Sequence, residues 1–194
     1  MFIVIEGPNG VGKTTLCAAL SSRLAECNTD NIVVSEPSDT QFGRLVRSGE
    51  ASLTGRALAL AVAADRYHQQ ENLVQPLVKA GEVVISDRYV PSSLVLQRID
   101  GMVLEEVWQY NMYMPIPDLV LYLNEDTDVV QQRVNARGKK RSRLELEGST
   151  EREFMLYREA YAFLSEMSWR QEYVDCLQRS PSEICDEVLR HVSL

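Results

Sequence analysis

A chain of 194 residues, 45% of them hydrophobic and 25% charged, has the composition of one globular domain that can bury a substantial core. The net charge of −8 argues against a nucleic acid polymer as a partner, because binding to a phosphate backbone requires clustered positive charge. The sequence shows no secretory leader pattern, no apolar run of membrane-spanning length and no Cys-x-x-Cys spacing among its four cysteines. We therefore expect a single cytoplasmic domain over residues 1–194, with reduced cysteines and no membrane partner.

Apolar strands and helical patterns alternate along the chain. Unbroken apolar runs predict five strands, at Phe2–Glu6, Ile32–Ser35, Glu82–Ser86, Leu119–Leu123 and Tyr173–Leu177. Helical spacing predicts helices at Lys13–Cys27, Thr54–Ala80, Ser92–Arg98, Leu104–Tyr113, Thr127–Arg137, Glu151–Met167 and Pro181–Val192. This alternation is typical of a doubly wound α/β domain, a five-stranded parallel sheet flanked by helices, which binds its ligands at the carboxyl ends of the strands.

The segment between the first strand and the first helix fits the phosphate-loop pattern Gly-x4-Gly-Lys-Ser/Thr. Glycines let backbone N–H groups turn toward an anion, and the helix N-terminus behind them adds partial positive charge. In this pattern Lys13 reaches the β- and γ-phosphates and the Thr14 hydroxyl binds Mg²⁺. A glycine-rich turn with an incidental lysine is the alternative, but the flanking strand and helix favour a nucleotide. The sequence thus predicts a site for ATP and Mg²⁺ formed by Gly7, Pro8, Asn9, Gly10, Val11, Gly12, Lys13, Thr14 and Thr15.

Asp87 and Arg88 follow the third strand directly. The end of that strand lies near the phosphate loop in a doubly wound sheet, so Asp87 can hold Mg²⁺ directly or through water, together with Thr14. Arg88 would direct a bidentate donor into the same crevice. A structural ion pair is the alternative interpretation, but the position after the third strand of a phosphate-loop protein favours a catalytic role for Lys13, Asp87 and Arg88.

A basic segment, Arg137 to Arg143, interrupts this acidic chain between two helices. Runs of charge are usually solvated surface. Here the phosphate loop has no arginine of its own, and a closing lid could bring arginines to the transferred phosphoryl group and exclude water. We predict a short basic lid over about residues 137–148, with Arg137 and Arg143 as catalytic residues.

These motifs together resemble the thymidylate kinases, a family of phosphate-loop nucleoside-monophosphate kinases. Ser35-Glu36-Pro37-Ser38-Asp39-Thr40 resembles the family segment Arg-Glu-Pro-Gly-Gly-Thr, and Ala63-Ala64-Asp65-Arg66 resembles Phe-Ala-Ala-Asp-Arg. The run from Asp87 to Ser93, with Gln97, is similar to Asp-Arg-Tyr-x-x-Ser-Ser followed by Tyr-Gln. The opening strand and loop, the basic segment with Arg133 and Glu145, and the helix from Phe154 to Tyr161 also resemble the family.

The resemblance implies ATP-dependent phosphorylation of a pyrimidine nucleoside monophosphate, with dTMP to dTDP as the leading reaction. It implies that Arg88 clamps the acceptor phosphate with help from Arg44, that Arg66 donates to the pyrimidine carbonyl, and that Ser93 and Gln97 contact the base edge. The substrate-binding residues would be Asn9, Glu36, Pro37, Arg44, Val62, Arg66, Arg88, Ser93, Leu96 and Gln97. The resemblance also implies a homodimer formed through helices beside the sheet, for which the apolar run from Leu58 to Ala64 is suited.

The chain departs from the family pattern mainly on the acceptor side. Val62 stands where the family has a base-stacking Phe, Leu96 where it has the Tyr beside the sugar 2′ position, and Asn9 where a loop carboxylate is common. These changes motivate a second hypothesis, a kinase for another or a modified pyrimidine nucleotide. A nucleoside kinase and a nucleotide-dependent switch are further alternatives, although the chain has no Asn-Lys-x-Asp motif for guanine.

Overall fold

A sheet of five parallel strands forms the centre of the structure, a computed structural model that describes residues 1–136, 150–177 and 179–191. The strands are β1 (Phe2–Glu6), β2 (Asn31–Ser35), β3 (Val83–Asp87), β4 (Leu119–Asn124) and β5 (Gln171–Asp175), and their order across the sheet is β2-β3-β1-β4-β5. The described helices are α1 (Lys13–Glu26), α2 (Gln41–Gly49), α3 (Gly55–Gln69), α4 (Gln75–Lys79), α5 (Val90–Ile99), α6 (Leu104–Gln109), α7 (Thr127–Ala136), α8 (Thr150–Glu166) and α9 (Pro181–His191). The predicted α/β fold with a five-stranded parallel sheet is confirmed.

Alternate side chains of the central strands enter two separate cores. Phe2 and Val4 of β1 pack on the face covered by α3, α5 and α8, whereas Ile3 and Ile5 pack on the opposite face against α1 and α9. Both faces of β1 are therefore buried, which explains why its sequence is an unbroken apolar run instead of an alternating one. Helices cover the sheet on both sides, as a doubly wound domain requires.

One predicted helix, Thr54–Ala80, is interrupted in the structure. It consists of α3, a π-helical turn at Gln70–Val74, and α4. Pro76 follows this turn and has no N–H with which to bond the carbonyl of Asn72, so the regular hydrogen-bond ladder cannot continue through it. Pro76 thus coincides with a local change of helical geometry.

Two further elements differ from the sequence prediction, and the predicted helix Leu104–Tyr113 ends at Gln109. Helix α2 was not predicted, because its nine residues include Gly43 and Gly49 and the segment lacks a long apolar repeat; Thr40 caps it by accepting a hydrogen bond from the Gly43 N–H at 3.0 Å. Strand β5 begins at Gln171 and not at Tyr173, since it is an edge strand whose first residues pair with β4 through backbone bonds whatever their polarity.

The register of the sheet sets the position of the predicted site. Ile5 of β1 lies opposite Asp87 of β3, so the phosphate loop and the Asp87-Arg88 pair leave the sheet side by side. Strand β4 flanks β1 on its other side, where Glu6 lies opposite Tyr122. Among the described helices, none combines the length and the apolar character that a membrane span requires.

Candidate active site

The phosphate loop is the turn between β1 and α1. Gly10 and Gly12 have φ angles of 90° and 112°, in the left-handed region that favours glycine. A side chain at Gly10 would also collide with α7, since an added Cβ would lie 2.7 Å from Cγ2 of Val134. The fold therefore needs glycine at both positions.

Lys13 is buried within this loop. Its ammonium group donates hydrogen bonds to the carbonyls of Gly7 at 2.9 Å and Pro8 at 2.8 Å, and the residue is only 6% exposed. Burial lowers the pKa of Lys13 to about 7, and the nearby positive charge of Arg88 acts in the same direction. A polyphosphate bound by the loop would supply the opposite charge that favours the protonated lysine.

Thr14 and Asp87 meet in front of the loop. The Thr14 hydroxyl donates to the carboxylate of Asp87, with an oxygen–oxygen distance of 2.6 Å. A hydroxyl and a carboxylate in contact are oxygen ligands of the kind that Mg²⁺ takes. Both residues line a crevice of about 240 Å³ that we call the phosphate-loop crevice, and Lys13 and Arg88 line it too.

Arg88 reaches this crevice from an unusual backbone conformation. Its φ angle is 83°, which is uncommon for a residue with a side chain. The guanidinium donates to Oδ1 of Asn9 at 2.6 Å, to the hydroxyl of Ser92 at 2.9 Å and to the hydroxyl of Tyr157 at 3.1 Å. The arginine is therefore held in one orientation by three elements: the phosphate loop, α5 and α8.

Glu6 is the centre of a buried network behind Arg88. Its carboxylate accepts hydrogen bonds from the Tyr89 N–H at 2.7 Å, the Ser92 hydroxyl at 2.6 Å and the Tyr157 hydroxyl at 3.2 Å. Burial raises the pKa of Glu6, although the charge of Arg88 opposes that shift. Sequence analysis assigned no role to Glu6; the available signal was an acidic residue that ends a buried strand directly before the phosphate loop.

A cavity of about 260 Å³, which we call the Val62 cavity, opens beside Arg88 between α2, α3 and α5. Nine of the ten predicted substrate-binding residues line it: Asn9, Glu36, Pro37, Val62, Arg66, Arg88, Ser93, Leu96 and Gln97. Val62 and Leu96, which stand where the family pattern has Phe and Tyr, form an apolar wall of this cavity. The polar groups predicted to contact the base line the same cavity.

Arg44 is the predicted residue that the structure does not bring to this cavity. Its guanidinium donates to the carbonyl of Asp39, and it lines a separate outer groove. Arg47, one helical turn later, lines both the Val62 cavity and the phosphate-loop crevice. Both arginines follow a buried residue of α2, Arg44 after Gly43 and Arg47 after Val46. The structure therefore places Arg47 at the cavity and Arg44 outside it, a difference that could not be predicted because α2 itself was not predicted.

The guanidinium of Arg66 forms its hydrogen bonds with other groups of the protein. The residue is 1% exposed, and its guanidinium donates to the Glu36 carboxylate at 2.7 Å, the Ser93 hydroxyl at 2.9 Å, the Asn111 amide oxygen and the Tyr89 carbonyl. Burial raises the pKa of Glu36 to about 7, although the charge of Arg66 opposes the shift. A direct bond from Arg66 to a pyrimidine carbonyl stays a prediction.

Two buried oxygens of the Val62 cavity residues have no hydrogen-bond partner within the described residues. They are Oε1 of Glu36 and Oε1 of Gln97. Buried polar atoms are nearly always paired in folded proteins, so unpaired ones at a cavity indicate a ligand that carries hydrogen-bond donors.

A second cavity, of about 480 Å³, lies against the other end of the phosphate loop. We call it the Arg133 cavity; Arg133 lines it and bonds the buried carboxylate of Glu125 at 3.1 Å, and Arg179 lines it as well. The phosphate-loop crevice shares Asn9 and Arg88 with the Val62 cavity.

The same crevice shares Gly10, Gly12 and Thr15 with the Arg133 cavity. The crevice therefore connects the two cavities, an arrangement suited to two ligands that meet at the loop. Glu125 and Arg179, which line the Arg133 cavity, were not among the predicted site residues; they follow β4 and β5. Arg137, Arg143 and the predicted lid of residues 137–148 lie outside the described residues.

Comparison with known proteins gives one consistent family. A family model for thymidylate kinase matches residues 5–173. The chain is 37% identical to a probable thymidylate kinase of Pyrococcus abyssi over 145 residues, covering 71% of each chain, and 38% identical to a probable thymidylate kinase of Thermococcus onnurineus over 148 residues, covering 71% of this chain and 72% of the relative. It is also 31% identical over 154 residues to the thymidylate kinase of Xanthomonas euvesicatoria, covering 78% of this chain and 68% of the relative. The phosphate loop, the Asp87-Arg88 pair and these matches agree, and the chain belongs to the thymidylate kinase family.

Proposed function

We propose that this protein transfers the γ-phosphoryl group of ATP to dTMP, forming dTDP and ADP. The observation that carries the proposal is the phosphate-loop crevice, which is lined by Lys13, Thr14, Asp87 and Arg88 and connects two cavities. The relatives named thymidylate kinase support this choice of reaction. ATP would occupy the Arg133 cavity and the loop, and dTMP the Val62 cavity.

The residues of the crevice would position two phosphates and neutralise the charge that passes between them, which is most of what phosphoryl transfer asks of a protein. Lys13 would release the Gly7 and Pro8 carbonyls and bond the β- and γ-phosphates. Arg47 and Arg88, which both line the crevice and the Val62 cavity, would hold the acceptor phosphate. Two arginines at this position favour a phosphorylated acceptor over a neutral nucleoside.

Thr14 and Asp87 would hold Mg²⁺. Within the described residues no group of three or more His, Cys, Asp or Glu residues could enclose a metal ion. The Thr14–Asp87 pair suits an ion that completes its coordination with nucleotide oxygens and water, which is the usual behaviour of Mg²⁺. When bound, Mg²⁺ would neutralise charge on the transferring phosphate.

The base would be recognised at the inner end of the Val62 cavity. The unpaired oxygens of Glu36 and Gln97 are hydrogen-bond acceptors, and the N3–H group of thymine is a donor. Ser93 lies one helical turn before Gln97 on α5 and lines the same cavity. A pyrimidine with one donor on its edge would therefore supply a partner for one of these two oxygens.

A second acceptor is favoured by one specific feature of this cavity. Val62 and Leu96 line it, and none of its described lining residues is aromatic, so a base would lack a stacking partner. A pyrimidine monophosphate with a larger or more polar substituent than the thymine methyl group is the alternative acceptor.

The experiment is a comparison of acceptors at saturating ATP. We expect the highest kcat/KM with dTMP among thymidine, dTMP, dUMP, dCMP and UMP, measured by ADP formation, and no turnover of thymidine. Turnover of thymidine in preference to dTMP would indicate a nucleoside kinase. ATP binding without turnover of any acceptor would indicate a switch protein.

The control for this assay is Lys13→Met, which removes the charge and keeps a side chain of similar length in a buried position. We expect kcat to fall by at least about 100-fold, because the charge acts on the transferring phosphates. The thermal midpoint should stay near that of the parent, since no large cavity is created. The predicted catalytic roles of Arg137 and Arg143 belong to the same proposal.

We further propose a homodimer and a cytoplasmic location. Helix α3 exposes an apolar stripe of Ala57, Leu60 and Ala64, spaced three and four residues apart, and Leu60 is 51% exposed. A stripe of this kind is typical of a helix that packs against a partner.

A further inference from the structure

Glu153 is a buried acidic residue that the proposed mechanism does not use. It lies in the first turn of α8, is 4% exposed, and lines neither the phosphate-loop crevice nor the two cavities. Its carboxylate accepts a hydrogen bond from the backbone N–H of Asn9 at 3.1 Å, across 144 residues of sequence. A buried carboxylate needs favourable partners, and here one partner is the phosphate loop itself.

The contact to Asn9 connects Glu153 to the cations of the site. The Asn9 side chain accepts a hydrogen bond from Arg88 at 2.6 Å, so the residue that Glu153 holds is also the residue that orients Arg88. The negative charge of Glu153 acts on both Lys13 and Arg88. These two cations are buried near each other, and an opposite charge close to both of them offsets their repulsion.

Tyr157, one turn along α8, strengthens this interpretation. Its hydroxyl lies 3.1 Å from the Arg88 guanidinium and 3.2 Å from the Glu6 carboxylate. Residues four apart on a helix lie on the same face, so α8 presents Glu153 and Tyr157 together to the loop and to Arg88. The helix that follows the basic segment therefore contributes directly to the orientation of the phosphate-binding groups.

The neutral residue at position 9 supplies the second observation. This chain has the neutral Asn9 there, and residues 7–15 of the loop contain no acidic side chain. The structure brings a carboxylate to Asn9 from a different element, α8. The loop therefore receives from behind it a negative charge that its own residues do not carry.

We propose that Glu153 is a positioning residue for phosphoryl transfer. It holds the phosphate loop against Arg88 through the backbone N–H of Asn9, and it supplies from α8 a negative charge that the loop itself lacks. This inference rests on the proposed phosphoryl transfer, and Glu153 acts through Asn9 without touching either nucleotide.

The test is a double-mutant cycle between positions 9 and 153. Glu153→Gln removes the charge and should lower kcat about tenfold without raising the KM for the acceptor, because loss of a negative charge near two phosphate-binding cations does not weaken phosphate binding. Asn9→Asp should also lower kcat about tenfold, because the new carboxylate would contact Arg88 and, together with Glu153, neutralise the positive charge that the phosphates need. The double variant Asn9→Asp/Glu153→Gln carries one carboxylate again and should return to within about threefold of the parent.

The matched control is Glu151→Gln, which removes an exposed carboxylate from the same helical turn and should keep the parent kinetics. If Glu153→Gln stays within twofold of the parent kcat, or if the double variant shows the product of the two single losses, the proposal is wrong. Should Glu153→Gln fail to fold alone, the comparison of Asn9→Asp with the double variant still decides, since only charge relocation predicts that the second change restores activity.

The affinity for ATP, measured by calorimetry for all four proteins, separates this inference from the proposed function. A parent that turns over no acceptor would refute the proposed function. In that case the double-mutant cycle is evaluated with the ATP affinities instead of kcat. If the two substitutions change the free energy of ATP binding additively, the inference is wrong.

Discussion

Arg88 shows how a single residue is fixed for its function. Its φ angle of 83° costs a residue with a side chain about 1–3 kcal/mol. The surroundings hold it there: the Arg88 N–H donates to the Ile5 carbonyl at 3.1 Å, and the Arg88 carbonyl accepts from the Ser86 hydroxyl at 2.6 Å. Strained residues of this kind concentrate at functional sites, and Arg88 lines both the crevice and the Val62 cavity.

We predict that Arg88→Lys impairs turnover strongly although it keeps the charge. Lysine cannot reproduce the planar fork that contacts Asn9, Ser92 and Tyr157 at the same time. The expected loss in kcat/KM for the acceptor is about 100-fold, equivalent to about 2.7 kcal/mol. Steady-state kinetics with varied acceptor measure it. The matched control is Arg56→Lys, at an exposed ion pair with Glu106, which should leave the kinetics unchanged; a normal acceptor kcat/KM in Arg88→Lys would remove this residue from the site.

Helix α2 determines which of its two arginines lines the Val62 cavity. Val46 is buried on the inward face of the helix, and Arg47 beside it donates to the Pro37 carbonyl and lines the cavity. Arg44 lies on the outer side with the exposed Phe42 and Leu45. Two arginines three residues apart on α2 thus line different pockets, Arg47 the Val62 cavity and Arg44 the outer groove.

The two arginines of α2 give a direct comparison. We expect Arg47→Ala to raise the acceptor KM about 10- to 100-fold, because it removes a charge-assisted hydrogen bond to a phosphate. Arg44→Ala should change it less than twofold. Measurement of the KM of both variants with the same acceptor tests which of the two arginines binds it. Equal effects would show that the orientation of α2 does not determine acceptor binding.

Helices α3 and α5 supply Val62 and Leu96 to the walls of the Val62 cavity. We predict that Val62→Phe improves kcat/KM for dTMP roughly two- to tenfold, since an aromatic contact contributes about 0.5–1.5 kcal/mol beyond area burial. Leu96→Tyr should separately raise the preference for dTMP over UMP by crowding the sugar 2′ position. The kcat/KM ratios for dTMP, dUMP and UMP are the readout. If dTMP is a poor substrate of the parent and neither substitution improves kcat/KM, the result favours the alternative acceptor, a pyrimidine monophosphate with a larger or more polar substituent.

In the whole molecule, the parallel sheet places the predicted site residues together at the carboxyl ends of its strands. The phosphate loop follows β1, Asp87 and Arg88 follow β3, and Glu36 follows β2, and these strands are neighbours in the sheet. The Arg133 cavity lies toward the ends of β4 and β5. A doubly wound sheet therefore separates the proposed donor and acceptor sites on the two sides of its central strand.

A prediction for the whole molecule concerns assembly. If α3 forms the proposed dimer interface, Leu60→Asp should convert the protein to a monomer in light scattering after size-exclusion chromatography, because a charge would be buried in an apolar contact. The control is Leu45→Asp, at a leucine on α2 that is 64% exposed and outside the stripe. A parent that is monomeric, or a dimer that survives Leu60→Asp but not Leu45→Asp, would contradict this interface.

Features that depend on local pattern were predictable from the sequence. The phosphate loop, the alternation of strands and helices, and the Asp87-Arg88 pair each depend on residues that are adjacent or one helical turn apart. Nine of the ten predicted substrate-binding residues line one cavity for this reason, since the family motifs that identified them are themselves local.

Features that depend on the approach of distant elements were decided only by the tertiary structure. Glu153 bonds Asn9 across 144 residues, and Tyr157 bonds Glu6 across 151. No pattern within α8 marks these residues as partners of the phosphate loop, because their contacts are set by sheet register and helix packing. The different positions of Arg47 and Arg44 have the same origin: the identity of the residues was available in the sequence, but the face that α2 turns inward was determined by the burial of Gly43 and Val46.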